Sequence, residues 1–234
     1  FPTRRSSDLM RIGINASFLR KPGTGIGQVT VNFLQKLTES TINNQQSTFV
    51  LYTEELTDMK LPDNFQVRSF LPFWKRDDLV RKVLWERQVA KEAEKDGCNA
   101  FLSLYQASTI FQSTINNQQN AIRHVMVVHD VIPRIFPDYQ GNMRQRYHWK
   151  KVERAIKKAD HLIAVSEATK NDLVEFGVAA DNITVASPGV SPLFRTVLVP
   201  EEENRVMATY GLVPGYIYHG GGLEVRKNTE GLLR

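Results

Sequence analysis

The stretch MRIGINASFLRKPGTGIGQ, residues 10–28, decides the fold class of this chain. Its apolar start, Met10–Asn15, predicts a short β-strand. The three glycines of KPGTGIGQ then predict a loop, and apolar residues recur at helical spacing over Gly27–Thr38. A strand that passes through a glycine loop into a helix predicts the first unit of an α/β domain.

The same alternation of strands and helices continues along the chain. Further strands are predicted at Thr48–Tyr52, Phe65–Phe70, Ala100–Leu104, Arg123–Val128, His161–Val165 and Ile183–Ala186. Further helices are predicted at Asp77–Lys95, Asn142–Ala159 and Glu167–Phe176. This order predicts an α/β fold with a doubly wound, mostly parallel sheet. Such sheets bind ligands at the carboxyl ends of their strands, so candidate sites are expected in the loops that follow strands.

Two helices carry more detailed predictions. In Asp77–Lys95, the spacing predicts an inward face and places the charged residues outward. The residues predicted to face inward are Leu79, Val83, Leu84 and Ala90. For Glu167–Phe176, Ser166 is the expected N-cap and Gly177 the expected end.

The chain divides into three parts by sequence. Residues 1–9 match nothing that follows and are interpreted as a non-native leader before an initiator at Met10. Residues 10–192 form the predicted first domain, and prolines punctuate the boundary at Pro188–Pro200. Residues 193–234 are predicted to hold a linker, a helix at Glu201–Tyr210, a strand at Tyr216–His219 and the start of another helix. We therefore expect a second domain that is truncated at the end of this chain.

Composition bounds the class of protein. Apolar residues make up 41% and charged residues 24%, as in ordinary globular proteins. The single cysteine, Cys98, excludes an internal disulfide framework and a multi-cysteine metal site, and it fits a cytoplasmic setting. The net charge of +5 suggests anionic partners, which could be nucleic acid, phosphorylated small molecules or an acidic membrane face. The densest basic stretch, Arg144–Lys158, is either a solvated helix face or a contact with anionic lipid.

The glycine loop is the first candidate for chemistry. Glycines at a helix start leave backbone N–H groups that hold phosphate. A nicotinamide-cofactor fingerprint would need a third glycine where Gln28 stands, so the loop does not specify a dinucleotide. A tight turn without a ligand is the alternative.

Two further loops carry candidate side chains. His129 and Asp130 follow the strand Arg123–Val128, and Ile132-Pro133 is expected to stop regular structure there. Histidine in that place binds a sugar hydroxyl or stabilises developing charge; the alternative is that both residues only cap the loop. In GGGLEVRKN, Arg226 and Lys227 suit a pyrophosphate, or are surface charges. The sequence shows no Ser/His/Asp nucleophile set and no metal-ligand spacing.

Seven segments in order resemble glycosyltransferase family 4. They are MRIGIN…GTGIGQ, the Leu84-Trp85-Glu86 helix, Leu104-Tyr105-Gln106, VMVVHDVIP, ADHLIAVSEATKNDL, NITVASPGV and GGGLEVRKN. Members of this family are retaining enzymes with two facing Rossmann-like domains. The resemblance implies that this chain carries the N-terminal, acceptor-side domain. The family's paired glutamates lie beyond Arg234, so the resemblance also implies that the 234-residue chain is inactive alone.

The resemblance also implies roles for single residues. Gly25 and Gly27 match the loop that approaches the donor's phosphates. His129, with Asp130 beside it, matches the histidine near the reacting centre. Ser166 and Glu167 match a turn that shapes the cleft, and Arg226 and Lys227 match the pair that contacts the donor pyrophosphate. Gly221 and Gly222 stand where some relatives carry an arginine, so one helper cation is expected to be missing.

The implied function is transfer of a sugar, of mannose or glucose type, from a nucleotide-sugar to a glycan or lipid-linked acceptor with retention. The resemblance implies neither a cofactor nor an obligatory metal, and no nucleic-acid partner. The protein is expected to be bacterial and to take part in cell-surface polysaccharide biosynthesis. It is expected in the cytoplasm, peripheral on an anionic membrane. Two alternatives stay open: a non-catalytic sugar- or nucleotide-binding Rossmann-like module, and a nucleotide-sugar epimerase of similar architecture.

Overall fold

The computed structural model describes residues 10–41, 47–54, 59–70, 74–111, 121–190, 192–197, 199–220 and 227–234. The chain splits into two compact units, Phe1–Pro188 and Gly189–Arg234. The predicted leader, residues 1–9, lies outside the described residues, as do Gly221, Gly222 and Arg226. The division into acceptor-side and donor-binding domains stays a prediction.

The first unit is built on one parallel sheet of seven strands. The strands are β1 (Met10–Asn15), β2 (Ser47–Thr53), β3 (Phe65–Ser69), β4 (Ala100–Ser103), β5 (Arg123–Val128), β6 (His161–Ala164) and β7 (Ile183–Val185). Their order is β3-β2-β1-β4-β5-β6-β7, and every neighbouring pair is parallel. The predicted doubly wound α/β fold is thereby confirmed. The direction of winding reverses between β1 and β4, which is where such sheets open a crevice.

Seven α-helices are found in the described residues. They are α1 (Gly25–Thr41), α2 (Leu79–Lys95), α3 (Ile132–Ile135), α4 (Met143–Lys158), α5 (Glu167–Glu175), α6 (Pro200–Tyr210) and α7 (Thr229–Leu232). Side-chain caps set several starts: Asp78 accepts from the N–H groups of Val80 and Arg81 at the start of α2. Ser166 caps α5 as predicted, and Gly177 follows that helix with φ of +91°.

Helices cover both faces of the sheet. On one face, Leu34 of α1 packs with Ile14, Leu51 and Leu104. On the other face, α2 packs Trp85 and Val89 against Val50 and Phe101, while α4 and α5 cover the strands β5, β6 and β7. The sheet is therefore buried on both sides, which explains the near-continuous apolar character of its central strands.

The inward face of α2 differs from the prediction. The structure buries Trp85, Glu86, Val89 and Ala93, whereas Leu79, Val83, Leu84 and Ala90 are only partly buried. The apolar residues of this helix span more than one stripe, and the large indole of Trp85 takes the place nearest the sheet. The expectation that all charges face outward was also wrong, because Glu86 is 2% exposed.

Two smaller predictions were wrong as well. Ile132-Pro133 does not stop regular structure but begins α3, because proline in a first helical turn gives up only an N–H that has no partner within the helix. In the second unit, the described residues form α6 and α7, and Tyr216–His219 is not a strand. A strand requires hydrogen bonds to a neighbouring strand, and the described part of this unit offers no other strand.

Candidate functional site

The carboxyl edge of the sheet collects the residues that follow its central strands. Because all strands are parallel, the turns after β1, β4, β5 and β6 open at the same edge. These turns carry Ser17, Tyr105, His129 and Ser166 respectively. The sequence prediction placed His129 and Asp130 at this edge, and the end of β5 at Val128 agrees with it.

His129 is held in one orientation by the chain around it. Its backbone N–H donates to Gln106 Oε1 at 3.2 Å, and its ring Nε2 lies 2.9 Å from the carbonyl oxygen of Leu104. A carbonyl only accepts, so Nε2 carries a proton, and in the tautomer with that single ring proton Nδ1 is an acceptor. The ring therefore presents a fixed acceptor at the edge of the sheet, suited to a hydroxyl group.

Asp130 makes contacts within its own turn. Its Oδ1 accepts from the N–H of Ile132 at 3.1 Å, and its backbone carbonyl accepts from Gln106 Nε2 at 3.2 Å. This is the loop-capping geometry that the sequence left open as an alternative. Gln106 bonds to both His129 and Asp130, so it ties the turn after β4 to the turn after β5.

Ser166 joins the same group of contacts from β6. Its hydroxyl accepts from the N–H of Thr169 at 3.1 Å, and the Thr169 hydroxyl donates to the carbonyl of His129 at 3.3 Å. Glu167, next in the chain, is exposed in the first turn of α5. The cap of α5 thus supports the backbone of His129, while Glu167 faces solvent.

The glycine loop is held in shape by contacts among its own residues. A Cβ at Gly27 would lie 1.9 Å from the carbonyl oxygen of Lys21, so only glycine fits that position. A Cβ at Gly25 would meet nothing within 4 Å. The N–H of Gly27 donates to the hydroxyl of Thr24 at 3.1 Å, so one of the donors expected to hold phosphate is already bonded within the loop.

Lys227 belongs to the second unit and is exposed. Its predicted partner Arg226 lies outside the described residues. The structure therefore brings His129, Asp130 and Ser166 into one set of contacts, and it places Gly25 and Gly27 separately, in the first turn of α1. Binding of donor phosphate by Gly25, Gly27, Arg226 and Lys227 stays a prediction.

A buried polar cluster beneath this edge was missed at the sequence level. Asn15, at the end of β1, accepts from the N–H of Ser17 at 3.2 Å and from the Trp85 indole at 3.0 Å, and it donates to the Tyr105 hydroxyl at 3.3 Å. Both Asn15 and Tyr105 are almost fully buried. Asn15 therefore links β1, α2 and the turn after β4. An asparagine directly after an apolar strand was the available signal.

Glu86 completes the cluster from α2. One carboxylate oxygen accepts from both the N–H and the hydroxyl of Ser108, and the other lies 3.4 Å from the Tyr105 hydroxyl. Burial raises the pKa of Glu86, while the charge of Lys82 and the bonds from Ser108 act in the opposite direction. The side chain holds the turn after β4 against α2.

A cavity of about 310 Å³ lies at the switch point between β1 and β4. Its charged lining residues are Arg20, Lys21, Glu54, Asp77, Asp78 and Lys82. Glu54 is 3% exposed and pairs with Arg20 at 3.1 Å and with Arg81. Hydrogen bonds from Arg20 and Lys21 hold the pKa of Asp77 well below its usual range. A cavity with such fixed charges fits a polar, multiply hydroxylated ligand better than an apolar one.

Neither a metal cluster nor a membrane-spanning helix is found in the described residues. No group of three His, Cys, Asp or Glu side chains within them is placed to hold a metal ion. No described helix is both long enough and apolar enough to cross a bilayer.

Comparison with solved structures places this architecture among known folds. A glycosyltransferase from Rickettsia africae superposes with a TM-score of 0.50 at 14% identity, over 89% of this chain and 51% of that one. The Anabaena protein HepE, in complex with UDP-glucose, superposes with a TM-score of 0.54 at 13% identity, over 86% of this chain and 50% of that one. The chain thus spans about half the length of these proteins. At such identities the likeness shows the fold.

Curated protein sequences give no match. The family model for Glycosyltransferase Family 4 matches residues 24–192, which include the glycine loop from Thr24, Glu86 and Tyr105 of the buried cluster, and the turns that hold His129 and Ser166. That match covers well over half of the chain. The chain belongs to glycosyltransferase family 4.

Proposed function

We propose that this chain is the acceptor-side part of an enzyme that transfers a sugar from a nucleotide-sugar to a glycan or lipid-linked acceptor. Family membership supports sugar transfer, and the complexes of HepE with UDP and with UDP-glucose support a nucleotide-sugar donor. The observation that carries the proposal is His129, whose ring offers Nδ1 as a fixed acceptor at the carboxyl edge.

In the proposed reaction, an acceptor hydroxyl attacks the anomeric carbon as the nucleoside diphosphate leaves from the same face, so configuration is retained, and the hydroxyl proton passes to the leaving diphosphate. His129 Nδ1 accepts a hydrogen bond from a sugar hydroxyl and holds the donor sugar while charge develops. Asp130 keeps the turn in shape through Ile132. Ser166 and Glu167 shape the cleft through the start of α5.

The leaving group is the other half of the reaction. We assign the donor phosphates to Gly25 and Gly27 on this unit and to Arg226 and Lys227 on the second. Two cations at a pyrophosphate stabilise its negative charge through charge-assisted hydrogen bonds, without an obligatory metal. A donor sugar of mannose or glucose type and an anionic membrane face beside the basic helix α4 complete the proposal, in the setting of bacterial cell-surface polysaccharide synthesis.

The test measures sugar transfer by the whole protein in its natural form. UDP-glucose and GDP-mannose are supplied with and without a lipid-linked glycan acceptor, and released nucleoside diphosphate is measured with EDTA present. We expect acceptor-dependent release that falls about 100-fold in His129→Ala, since losing an electrostatic group at a reacting centre costs about 10²–10³ in rate. His161→Gln is the control, because His161 bonds to Thr184 on β7 instead.

Three results would contradict the proposal. Release without acceptor would point to hydrolysis or epimerisation. Nucleotide-sugar binding with no release under any condition would point to a non-catalytic module. Equal activity of His129→Ala and His161→Gln would remove the role of the His129 ring. The anomeric configuration of the product, read by NMR, tests retention separately.

A further inference from the structure

The switch-point cavity, between β1 and β4, is bordered by charged groups that are mostly bonded to one another. The two oxygens of Glu54 accept hydrogen bonds from Arg20 at 3.1 Å and from Arg81 at 2.8 Å. Asp77 accepts from Arg20 at 2.8 Å and pairs with Lys21. Three cations thus share two carboxylates, so both carboxylates are occupied and the network keeps a surplus of positive charge.

The buried wall of the cavity is also engaged within the fold. The Trp85 indole donates to Asn15 at 3.0 Å, and the Tyr105 hydroxyl lies 3.3 Å from the amide nitrogen of Asn15. Asp78 accepts from two backbone N–H groups at the start of α2. These side chains shape the cavity, but their polar atoms already have partners within the chain. A ligand must therefore be recognised by other groups.

Lys82 differs from the other cations that line the cavity. Its side chain, on α2, is 37% exposed, and its Nζ lies 5.1 Å from the centre of the Tyr105 ring. The carboxylate of Glu86 is 3.8 Å from Nζ, beyond the range of a hydrogen bond. Among the described lining residues, Lys82 is thus the cation that has no hydrogen bond to a carboxylate. An ammonium group carries three donors, so Lys82 has hydrogen-bonding capacity left for a ligand.

Gln145 supplies a second donor, from α4. Its side-chain oxygen accepts from the N–H of Asn142 at 3.0 Å, in the capping box of that helix. The amide nitrogen is therefore the end of the side chain that is left for the cavity, which Gln145 also lines. Lys82 and Gln145 thus offer donors to one cavity from two helices. Groups that only accept, such as an ionised carboxylate or phosphate, complement this pair.

The size and position of the cavity define the rest of the ligand. Its volume of about 310 Å³ lies at the lower end of the range of about 300–1,000 Å³ for ligand sites, which suits one substituted sugar ring and not a whole nucleotide-sugar. The ring of Phe18 is partly buried and packs edge-on against Tyr105, so it offers an apolar surface to the C–H groups of a sugar. Tyr105 directly follows Leu104, whose carbonyl oxygen holds the His129 ring, so the cavity adjoins the candidate site.

We propose that the switch-point cavity binds an acceptor sugar that carries an ionised carboxylate or phosphate, and that Lys82 selects this acceptor. Lys82 and Gln145 donate to the anionic group while the sugar ring lies against Phe18. A neutral sugar removes water from the Lys82 ammonium without supplying an anion, so it binds more weakly. This inference rests on the proposed function, because it assigns the chemical class of the acceptor.

Binding in the absence of a nucleotide-sugar tests this selection. The whole protein is titrated by calorimetry with methyl glucuronoside, with glucose 1-phosphate and with neutral methyl glucoside. We expect an acidic sugar to bind about tenfold or more tightly than the neutral one, in line with the net strength of a hydrogen bond between charged groups. The acidic sugar that binds more tightly shows whether the recognised group is a carboxylate or a phosphate.

Variants of Lys82 locate the effect on one side chain. We expect Lys82→Gln to weaken binding of the acidic sugar about tenfold or more and to change binding of the neutral sugar less than about twofold. Lys82→Arg keeps the charge, so its loss is expected to stay below about threefold. Lys95→Gln is the control, because it removes the same charge from an exposed position of α2, where Lys95 pairs with Glu92. It is expected to leave both affinities unchanged.

Gln145→Glu tests the cavity independently of Lys82. Glutamate keeps an oxygen that accepts from Asn142, so the capping box and the start of α4 are preserved. Its second oxygen replaces the amide donor by a negative charge. We expect the acidic sugar to bind about tenfold more weakly and the neutral sugar as before, with an equal or higher melting temperature.

Three outcomes would overturn the inference. Equal affinity for acidic and neutral sugars in the original chain would mean that the cavity does not distinguish charge. Equal losses for both sugars in Lys82→Gln would mean that Lys82 only supports Tyr105 and Glu86. Acetate or inorganic phosphate that binds as tightly as the acidic sugars would mean that no sugar ring is recognised.

The same measurements separate this inference from the proposed function. All titrations omit the donor, so they do not depend on sugar transfer. Charge selection by Lys82 in a protein that transfers no sugar would count against the transferase proposal alone. Transfer to neutral and acidic acceptors with equal KM would count against the present inference alone.

Discussion

Glu86 provides the sharpest test of how the first unit holds its site together. Glu86→Ala removes the acceptor for the N–H and the hydroxyl of Ser108. A buried donor left without a partner costs about 1–3 kcal/mol, and because Ser108 is only partly buried we expect a loss of about 1–3 kcal/mol for the pair. A domain of this size is stable by only about 5–15 kcal/mol, so the effect is large.

Glu86→Gln is the matched control for this change. The amide oxygen still accepts from Ser108, and the amide nitrogen faces the hydroxyl of Tyr105. We expect Glu86→Gln to stay within about 1–2 kcal/mol of the original chain, since the bonds from Ser108 remain and the ion pair with Lys82, at 3.8 Å, is lost. Urea unfolding followed by circular dichroism measures both variants, with a constant slope as the check on two-state behaviour. The reasoning fails if alanine costs less than about 1 kcal/mol, or if glutamine costs as much as alanine.

The pH dependence of stability, compared between the original chain and Glu86→Gln, tests the burial of Glu86. Burial raises the pKa of Glu86 above its ordinary value of 4.5. The folded state therefore keeps this proton to higher pH than the unfolded state does. The raised pKa adds its full contribution to the free energy of unfolding below about pH 4.5, and this contribution is lost as the pH rises through the pKa of the folded state. We expect the original chain to lose stability relative to Glu86→Gln as the pH rises above about 4.5. A constant difference from pH 4 to 8 would contradict the burial argument.

Two further predictions follow from single positions in the same unit. Gly27→Ala is expected to cost about 1–3 kcal/mol, because its Cβ would meet the carbonyl oxygen of Lys21. Gly25→Ala, where a Cβ meets nothing within 4 Å, should not destabilise the chain; equal unfolding midpoints for the two variants would refute this. Burial lowers the pKa of His124 to about 4. The neutral buried ring therefore costs no stability above about pH 6.5, and the free energy of unfolding falls as the pH falls from about 6.5 toward 4. We expect His124→Gln to reduce the stability difference between pH 7 and pH 4 by about 3 kcal/mol, and an unchanged difference in urea titrations would exclude it.

Most strands and helices of the fold could be predicted from the local sequence. The predicted strands Met10–Asn15 and Arg123–Val128 match β1 and β5, and the other five strands of the sheet differ from prediction by about one residue at one or both ends. Apolar runs, caps and glycines are read within a few residues, so they predict where an element begins and ends. Tyr216–His219 was wrong because a strand depends on a partner elsewhere in the chain.

The candidate site divides in the same way. Its edge was predictable, because parallel strands all end on one side and His129 and Ser166 directly follow strands. The contacts that orient His129 were not predictable, because Leu104 and Gln106 are 25 and 23 residues away from it in the chain. A contact across that separation leaves no local pattern.

What the sequence by itself determined is the α/β order, the parallel sheet and the residues that stand at its carboxyl edge. These follow from spacing and from backbone sterics, which act between near neighbours. Only the tertiary structure decided that Glu86 is buried, that Asn15 links three elements and that Lys82 and Gln145 line one cavity. Those outcomes depend on which of several apolar stripes on a helix packs inward, and that choice is made by the shapes of elements far apart in the chain.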